Sequence, residues 1–297
     1  MRHAILGVGG VGGLVGAALA HAGDPVTLIL RREVAAGYPP ALSLDSPFGK
    51  LAVPVERATA VSHPFDVLWI TVKATQLDSA LSSIPAGAQL GSIVPLLNGI
   101  DHVALLRSRF GHERVVPATI AVESERVSPG NIVHRSNFAR LNVSSIGRDR
   151  LAPAIEKLRQ FGFACQFLDD EATLLWSKLA FLAPIALAST AAARNKGELV
   201  ADPVWRQRLE ACVAEACAVA TANGAKVDRA NILKFMESLK PEARSSMQKD
   251  VAAGNPPELD AIAGPILRGA EQRALAVPVT QELVDAVTAR ISAARAR

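Results

Sequence analysis

The sequence predicts an α/β protein, with an N-terminal parallel-sheet domain over residues 1–168 and a second, all-α domain over 169–297. Three observations lead there. Short apolar runs alternate with helical stretches through the first half, the pattern of strands joined by covering helices. A glycine-rich turn, Gly7-Val8-Gly9-Gly10-Val11-Gly12, separates the first apolar run from the first helical stretch. Beyond about residue 170 the strand signals stop, and Ala- and Leu-rich stretches with helical spacing take over.

The spacing predicts strands over 4–6, 26–30, 67–72 and 93–97, and helices over 11–22 and 77–83. Runs apolar on both faces are what parallel strands present when helices cover both sides of a sheet. A more β-like section follows, with strands expected over 115–123, 130–134 and 140–146 and a turn at Pro129-Gly130. A helix over 151–161 and a strand over 164–168 close this half. Helices are then expected over 171–193, 203–222, 229–239 and 259–274, with Asn223-Gly224 as a stop and Thr280 as the cap of a last helix.

With 49% apolar residues the chain can bury one large core or two moderate ones. The 32 basic and 28 acidic side chains nearly balance, and no basic block is interleaved with aromatics, which argues against nucleic acid as a partner. Cys165, Cys212 and Cys217 are few, odd in number and without metal-ligand spacing, so no metal is expected. Cys212 and Cys217 fall in an apolar helical run and read as buried thiols of a reducing compartment. The glycines from Gly7 to Gly13 interrupt the apolar run after Met1-Arg2-His3, against a signal peptide. The apolar stretch 179–193 is too short to cross a bilayer and contains Pro184. The expectation is a soluble, cytoplasmic protein with no membrane partner.

The glycine turn has the G-x-G-x-x-G spacing, after a predicted strand and at the start of a predicted helix, the context of a Rossmann-type dinucleotide site. Gly7 permits the tight turn, Gly9 lets the backbone approach a pyrophosphate, and Gly12 allows close helix–strand packing. Gly10, Val8 and Val11 complete the turn around the anion. The second strand ends in Leu30-Arg31-Arg32, where an NAD enzyme usually carries Asp or Glu. A guanidinium there can clasp a 2′-phosphate through paired hydrogen bonds, so Arg31 points to NADP(H). Ligands in this fold sit beyond the carboxyl ends of the strands. Lys73 and Gln76 follow one such end and Asn98-Gly99 another.

Together with the glycine turn, Val72-Lys73-Ala74-x-Gln76, Asn98-Gly99, Trp176-x-Lys178-Leu179, Gly197-Glu198 and Ser246-Met247-x-x-Asp250, with Glu258-Leu259-Asp260 beyond, make the chain resemble the ketopantoate reductase (2-dehydropantoate 2-reductase) family. The resemblance spans nearly the whole sequence. It implies a Rossmann domain plus a helical domain with the active site in the cleft, and NADPH-dependent reduction of 2-dehydropantoate to (R)-pantoate, a step of pantothenate synthesis. It also implies Lys178 as the catalytic lysine, Glu258 and Ser246 on the substrate side, Asn98 near nicotinamide and substrate, and Lys73 and Gln76 as cofactor contacts. The chemistry agrees. Hydride delivery to a carbonyl carbon leaves negative charge on oxygen, which a cation or acid must meet. Lys178 opens an apolar helical run where desolvation would lower its pKa. Glu258 could hold that lysine or bind a substrate hydroxyl, and Ser246 could bond the substrate carboxylate.

The sequence departs from the family pattern on one face. The resemblance leads one to expect asparagines four and eight residues after the lysine, where Leu182 and Ala186 stand, and a glutamine at Leu97. Ser189 is the next polar group at compatible spacing and is taken as a substrate-side candidate. Three further readings stay open: a reductase of a different, more apolar 2-oxo acid, a non-catalytic protein that senses NADP(H), and an imine- or amino-acid-forming dehydrogenase on a similar two-domain plan. The Ala-rich helical domain is compatible with a homodimer.

Overall fold

The computed structural model describes residues 1–295. It divides into two compact units, Met1–Leu97 with His102–Glu171, and Asn98–Asp101 with Ala172–Arg297.

The first unit holds β1 (His3–Leu6), α1 (Gly10–His21), β2 (Val26–Ile29), α2 (Arg32–Ala35), β3 (Ala41–Ser46), β4 (Gly49–Pro54), β5 (Glu56–Ala58), β6 (Phe65–Ile70), α3 (Leu77–Leu81), β7 (Leu90–Pro95) and α4 (His102–Phe110). It continues with β8 (Ala118–Ala121), β9 (Ser124–Ser128), β10 (Asn131–His134), β11 (Arg140–Ser144), α5 (Arg148–Phe161) and β12 (Ala164–Leu168). The central sheet runs β5-β2-β1-β6-β7, every neighbouring pair parallel. Side chains alternate between two apolar clusters: Ile5, Leu28, Val67 and Trp69 join one, Leu6, Ile29, Leu68 and Ile70 the other. Both faces are thus covered, as the double-sided apolar runs require.

The β-like section is richer than the sequence suggests. The expected strand over 115–123 contains only β8, which pairs with β11; β9, just beyond it, was not expected and pairs with β10 in a separate sheet ordered β4-β3-β10-β9. β3, β4 and β5 escape a search for continuous apolar runs. β3 alternates Leu42 and Leu44 inward with Ser43 and Asp45 outward, so only half of it is apolar. A buried polar cluster anchors β1. Trp69 Nε1 donates to His3 Nδ1 at 3.2 Å, which leaves the proton of the neutral ring on Nε2, facing Asp24 at 3.1 Å. Lys157 Nζ donates to the same carboxylate at 2.6 Å.

The second unit is helical: α6 (Glu171–Ala192), α7 (Lys196–Ala201), α8 (Pro203–Ala222), α9 (Arg229–Ser238), α10 (Ser246–Ala252), α11 (Leu259–Gln272) and α12 (Pro278–Arg295). α6 is longer than the apolar stretch 179–193. By length and composition it could cross a membrane, but 61% of its most apolar window is buried, as befits the core helix of this unit. Capping accounts for many of the breaks between helices. Asn195 and Glu198 form a reciprocal capping box at α7, and Asp202, Asp228 and Ser245 cap α8, α9 and α10.

Thr280 is not the cap of the last helix. α12 begins two residues earlier at Pro278, and Thr280 is fully buried inside its first turn. The cap comes from α8: the Glu215 carboxylate accepts the Val279 and Thr280 backbone N–H groups at 2.9 and 2.7 Å and the Thr280 hydroxyl at 2.6 Å. A threonine before a helix looks like a cap in sequence, and a glutamate from another helix gives no local sign. All three cysteines are buried and unpaired, and burial pushes the Cys212 thiol up to about 12 and Cys165 to about 11.

Candidate active site

The glycine turn sits between β1 and α1. Gly7 has φ +102°, and a Cβ there would lie 2.6 Å from the Val72 backbone nitrogen, so the position admits only glycine. Thr71, at the end of β6, donates its hydroxyl to the Gly7 carbonyl at 2.6 Å and locks the turn. Gly12 lies against that same carbonyl, with 2.2 Å for a would-be Cβ. Gly10 serves packing of a kind the spacing does not reveal: its Cα faces the Ser124 carbonyl of β9, 2.1 Å from a would-be Cβ. Gly9 differs from these. It is the N-cap of α1, has no side-chain cap, and a Cβ there would meet nothing within 4 Å. An open, uncapped helix N-terminus is a site for an anion, and the residues fit a dinucleotide pyrophosphate.

Other cofactor candidates lie on the same unit. Arg31 is the N-cap of α2, two residues past β2, with its side chain 75% exposed and Glu33 at 3.7 Å. Lys73 is partly exposed and Gln76 exposed, on the short turn that follows β6. Thr71 was missed by sequence reasoning; a polar residue closing an otherwise apolar strand was its signal.

The second unit brings Asn98, Lys178 and Glu258 together. Lys178 Nζ donates to Asn98 Oδ1 at 3.0 Å, and Asn98 Nδ2 donates to Glu258 Oε2 at 2.9 Å. The two charges fix the amide: the reverse orientation would turn its NH₂ toward an ammonium and its oxygen toward a carboxylate. Lys178 lies two turns into α6, and Glu258 is the buried residue before α11. Burial lowers the Lys178 pKa to about 8, with the Glu258 carboxylate pulling the other way. The loop bearing Asn98 is pressed onto α11, because Gly99 (φ +81°) would place a Cβ 2.2 Å from the Ala261 carbonyl.

Two candidates are not brought to this trio. Ser189 lies eleven residues beyond Lys178 on α6, roughly 16 Å along the axis. Its hydroxyl is engaged by the Ala186 carbonyl and by Ser245 at 2.9 Å. Ser246 is the exposed first residue of α10, next to that capping Ser245.

The family profile described as "Ketopantoate reductase PanE/ApbA" matches residues 3–147, and "Ketopantoate reductase PanE/ApbA C terminal" matches residues 172–291. The chain belongs to the ketopantoate reductase family. It is thereby an oxidoreductase with the family's Rossmann-type and helical architecture. An "Uncharacterized oxidoreductase YkpB" of Bacillus subtilis is 28% identical over 294 residues, covering 95% of this chain and 96% of its own. The 2-dehydropantoate 2-reductase of Caulobacter vibrioides is 27% identical over 288 residues, covering 95% and 96%. Among solved structures, 2-dehydropantoate 2-reductase from Geobacter metallireducens superposes with TM-score 0.86 at 25% identity, over 97% of this chain and 99% of that one. A D-mandelate dehydrogenase bound to NADH and anilino(oxo)acetate shares the fold, with TM-score 0.85 at 21% identity over 99% and 100%.

Of the three positions where the sequence departs from the expected pattern, Leu97 is buried in the first unit and the other two lie on α6. Ala186 is 1% exposed, inside the helical core, while Leu182 is partly exposed at its margin. The Gly197-Glu198 motif is structural here: Glu198 completes the capping box, and the Gly197 N–H donates to the Pro241 carbonyl at 2.7 Å.

Proposed function

We propose that the protein reduces a 2-oxo acid with NADPH, that 2-dehydropantoate is that acid, and that Lys178 is the catalytic acid. The carrying observation is the chain Lys178–Asn98–Glu258, which holds an ammonium of pKa about 8 in a fixed direction.

Bound NADPH would supply the hydride to C2 of the substrate. The negative charge growing on the C2 oxygen is met by Lys178. Asn98 takes one of its three N–H bonds, leaving two to polarise the carbonyl. As the C–H bond forms, one ammonium proton passes to the oxygen, giving the hydroxyl and a neutral amine that solvent reprotonates. A pKa near 8 makes the amine a better proton donor than an ordinary lysine, yet still protonated at neutral pH. Glu258 keeps Asn98 oriented. Gly9 and the uncapped start of α1 would bind the pyrophosphate, with Gly7, Val8, Gly10, Val11 and Gly12 shaping the turn, and Arg31 would clasp the 2′-phosphate. Lys73 and Gln76 would add cofactor contacts, and Ser246 and Ser189 are carried as substrate-side candidates. With that substrate the enzyme would serve pantothenate synthesis in the cytoplasm, as a homodimer.

A partly exposed Leu182 one turn from Lys178 favours a second reading, a 2-oxo acid with a hydrocarbon side chain. The test follows NADPH absorbance with 2-dehydropantoate and a panel of branched and aromatic 2-oxo acids, with NADH run beside it. The highest kcat/KM on 2-dehydropantoate is expected. A preference for apolar acids selects the second reading. No turnover on any acid, with NADPH binding intact, would leave a non-catalytic NADP(H) sensor.

A further inference from the structure

Beyond the trio, α11 and the loop that carries Asn98 are joined by a second set of charges. Arg268 Nη2 donates to Asp101 Oδ2 at 2.5 Å, and Nη1 of the same guanidinium donates to Asp260 Oδ1 at 2.8 Å. Asp101 lies three residues after Asn98, and Asp260 two residues after Glu258. One guanidinium therefore bridges the two segments that present the amide and the carboxylate. It lies along its own helix, two turns back from Arg268 to Asp260, and it passes over Gly264. A Cβ at 264 would fall 2.4 Å from Arg268 Nη2 and 2.5 Å from Asp260 Oδ1. The glycine is the space through which the arginine reaches both acids.

We propose that Arg268 is a positioning residue: with Asp101, Asp260 and Gly264 it clamps the Asn98 loop to the start of α11 and so holds the Asn98 amide between Lys178 and Glu258. The inference rests on the reaction proposed above. The three charged side chains are 46%, 55% and 83% exposed, so as ion pairs they add little stability. Their geometric effect is of a different order, because displacing a catalytic group by about 1 Å can cost up to roughly a hundredfold in rate. Arginine is suited to such a clamp because its fork reaches two carboxylates at once, which an ammonium on a flexible stem does less well.

The test compares Arg268→Ala, Arg268→Lys and Gly264→Ala with the wild-type enzyme, with Asn98→Ala as the reference. It reads kcat and KM, NADPH affinity by fluorescence, and the Lys178 titration midpoint by NMR of lysine labelled at Cε. Arg268→Ala is expected to lower kcat roughly tenfold with a smaller change in KM and unchanged NADPH affinity. Gly264→Ala should act in the same direction, and Arg268→Lys should restore part of the loss. The Lys178 midpoint should move to lower pH, as in Asn98→Ala, because the ammonium loses its acceptor. Mere removal of a nearby cation would move it to higher pH, which would overturn the inference. So would an unmoved midpoint, or a lost kcat that lysine does not rescue. Should the wild-type enzyme reduce none of the acids, the proposed reaction falls; the midpoint alone then decides the clamp.

Discussion

Lys178 illustrates how one residue acquires its chemistry from its surroundings. A lysine two turns into an apolar helix loses hydration, and its pKa settles at about 8. Lys178→Met should lower kcat by roughly 10²–10⁴-fold while NADPH still binds, measured by stopped-flow and fluorescence titration. In the wild type, reduction should slow as pH rises through about 8, because the depressed pKa removes the donated proton there. An Lys178→Met enzyme should lack that limb. Arg31 is proposed to act at the cofactor end of the reaction. As an exposed side chain two residues past β2, it is free to turn toward a phosphate at modest cost. Arg31→Ala should weaken NADPH binding roughly tenfold and leave NADH binding nearly unchanged, since only NADPH carries the 2′-phosphate. At this scale the sequence was informative about residue type and silent about partners. Lys178, Asn98 and Glu258 were nameable from their motifs, but the hydrogen bonds that orient the amide join residues 80 and 160 apart. Thr71 and Arg268 stand in no motif.

Among elements, those whose signal is local were the legible ones. The double-sided apolar strands and the long Ala-rich helices followed from periodicity. β3 and β4 did not, because a half-exposed hairpin shows alternation over few residues. The split of 118–128 between two sheets was invisible for another reason: β9 turns back onto the adjacent β10, while β8 pairs with β11, a strand beyond both. The start of α12 carries the same lesson. Glu215 satisfies two backbone donors and one hydroxyl there. Glu215→Ala should destabilise the protein by about 2–4 kcal/mol by leaving Thr280 buried without its acceptor, and Glu215→Gln by less. Urea unfolding followed by circular dichroism measures both.

At the scale of the molecule, each unit has its own apolar core, and the first also rests on a buried charge. Burial by itself raises a carboxyl pKa, but hydrogen bonds to Asp24 from Lys157, the N-terminal amine and His3 outweigh it and hold the group at about 2. A carboxyl pKa depressed by folding contributes stability that is complete above its ordinary value of 3.8 and is lost as pH falls toward 2. The wild type should therefore lose roughly 1–3 kcal/mol across that window from this group. Asp24→Asn should be less stable at neutral pH and show a flatter acid limb, read by thermal melting across pH.

The second unit takes residues 98–101 from the middle of the first unit's chain. That detour sets a clock on biosynthesis. Asn98 leaves the ribosome 160 residues ahead of Glu258. At ~5–20 residues per second it waits about 8–30 s for the partner that aims its amide. No nascent or prematurely terminated chain ending before Glu258 can hold the trio. The dinucleotide-binding half can thus be finished well before the protein is able to spend a hydride.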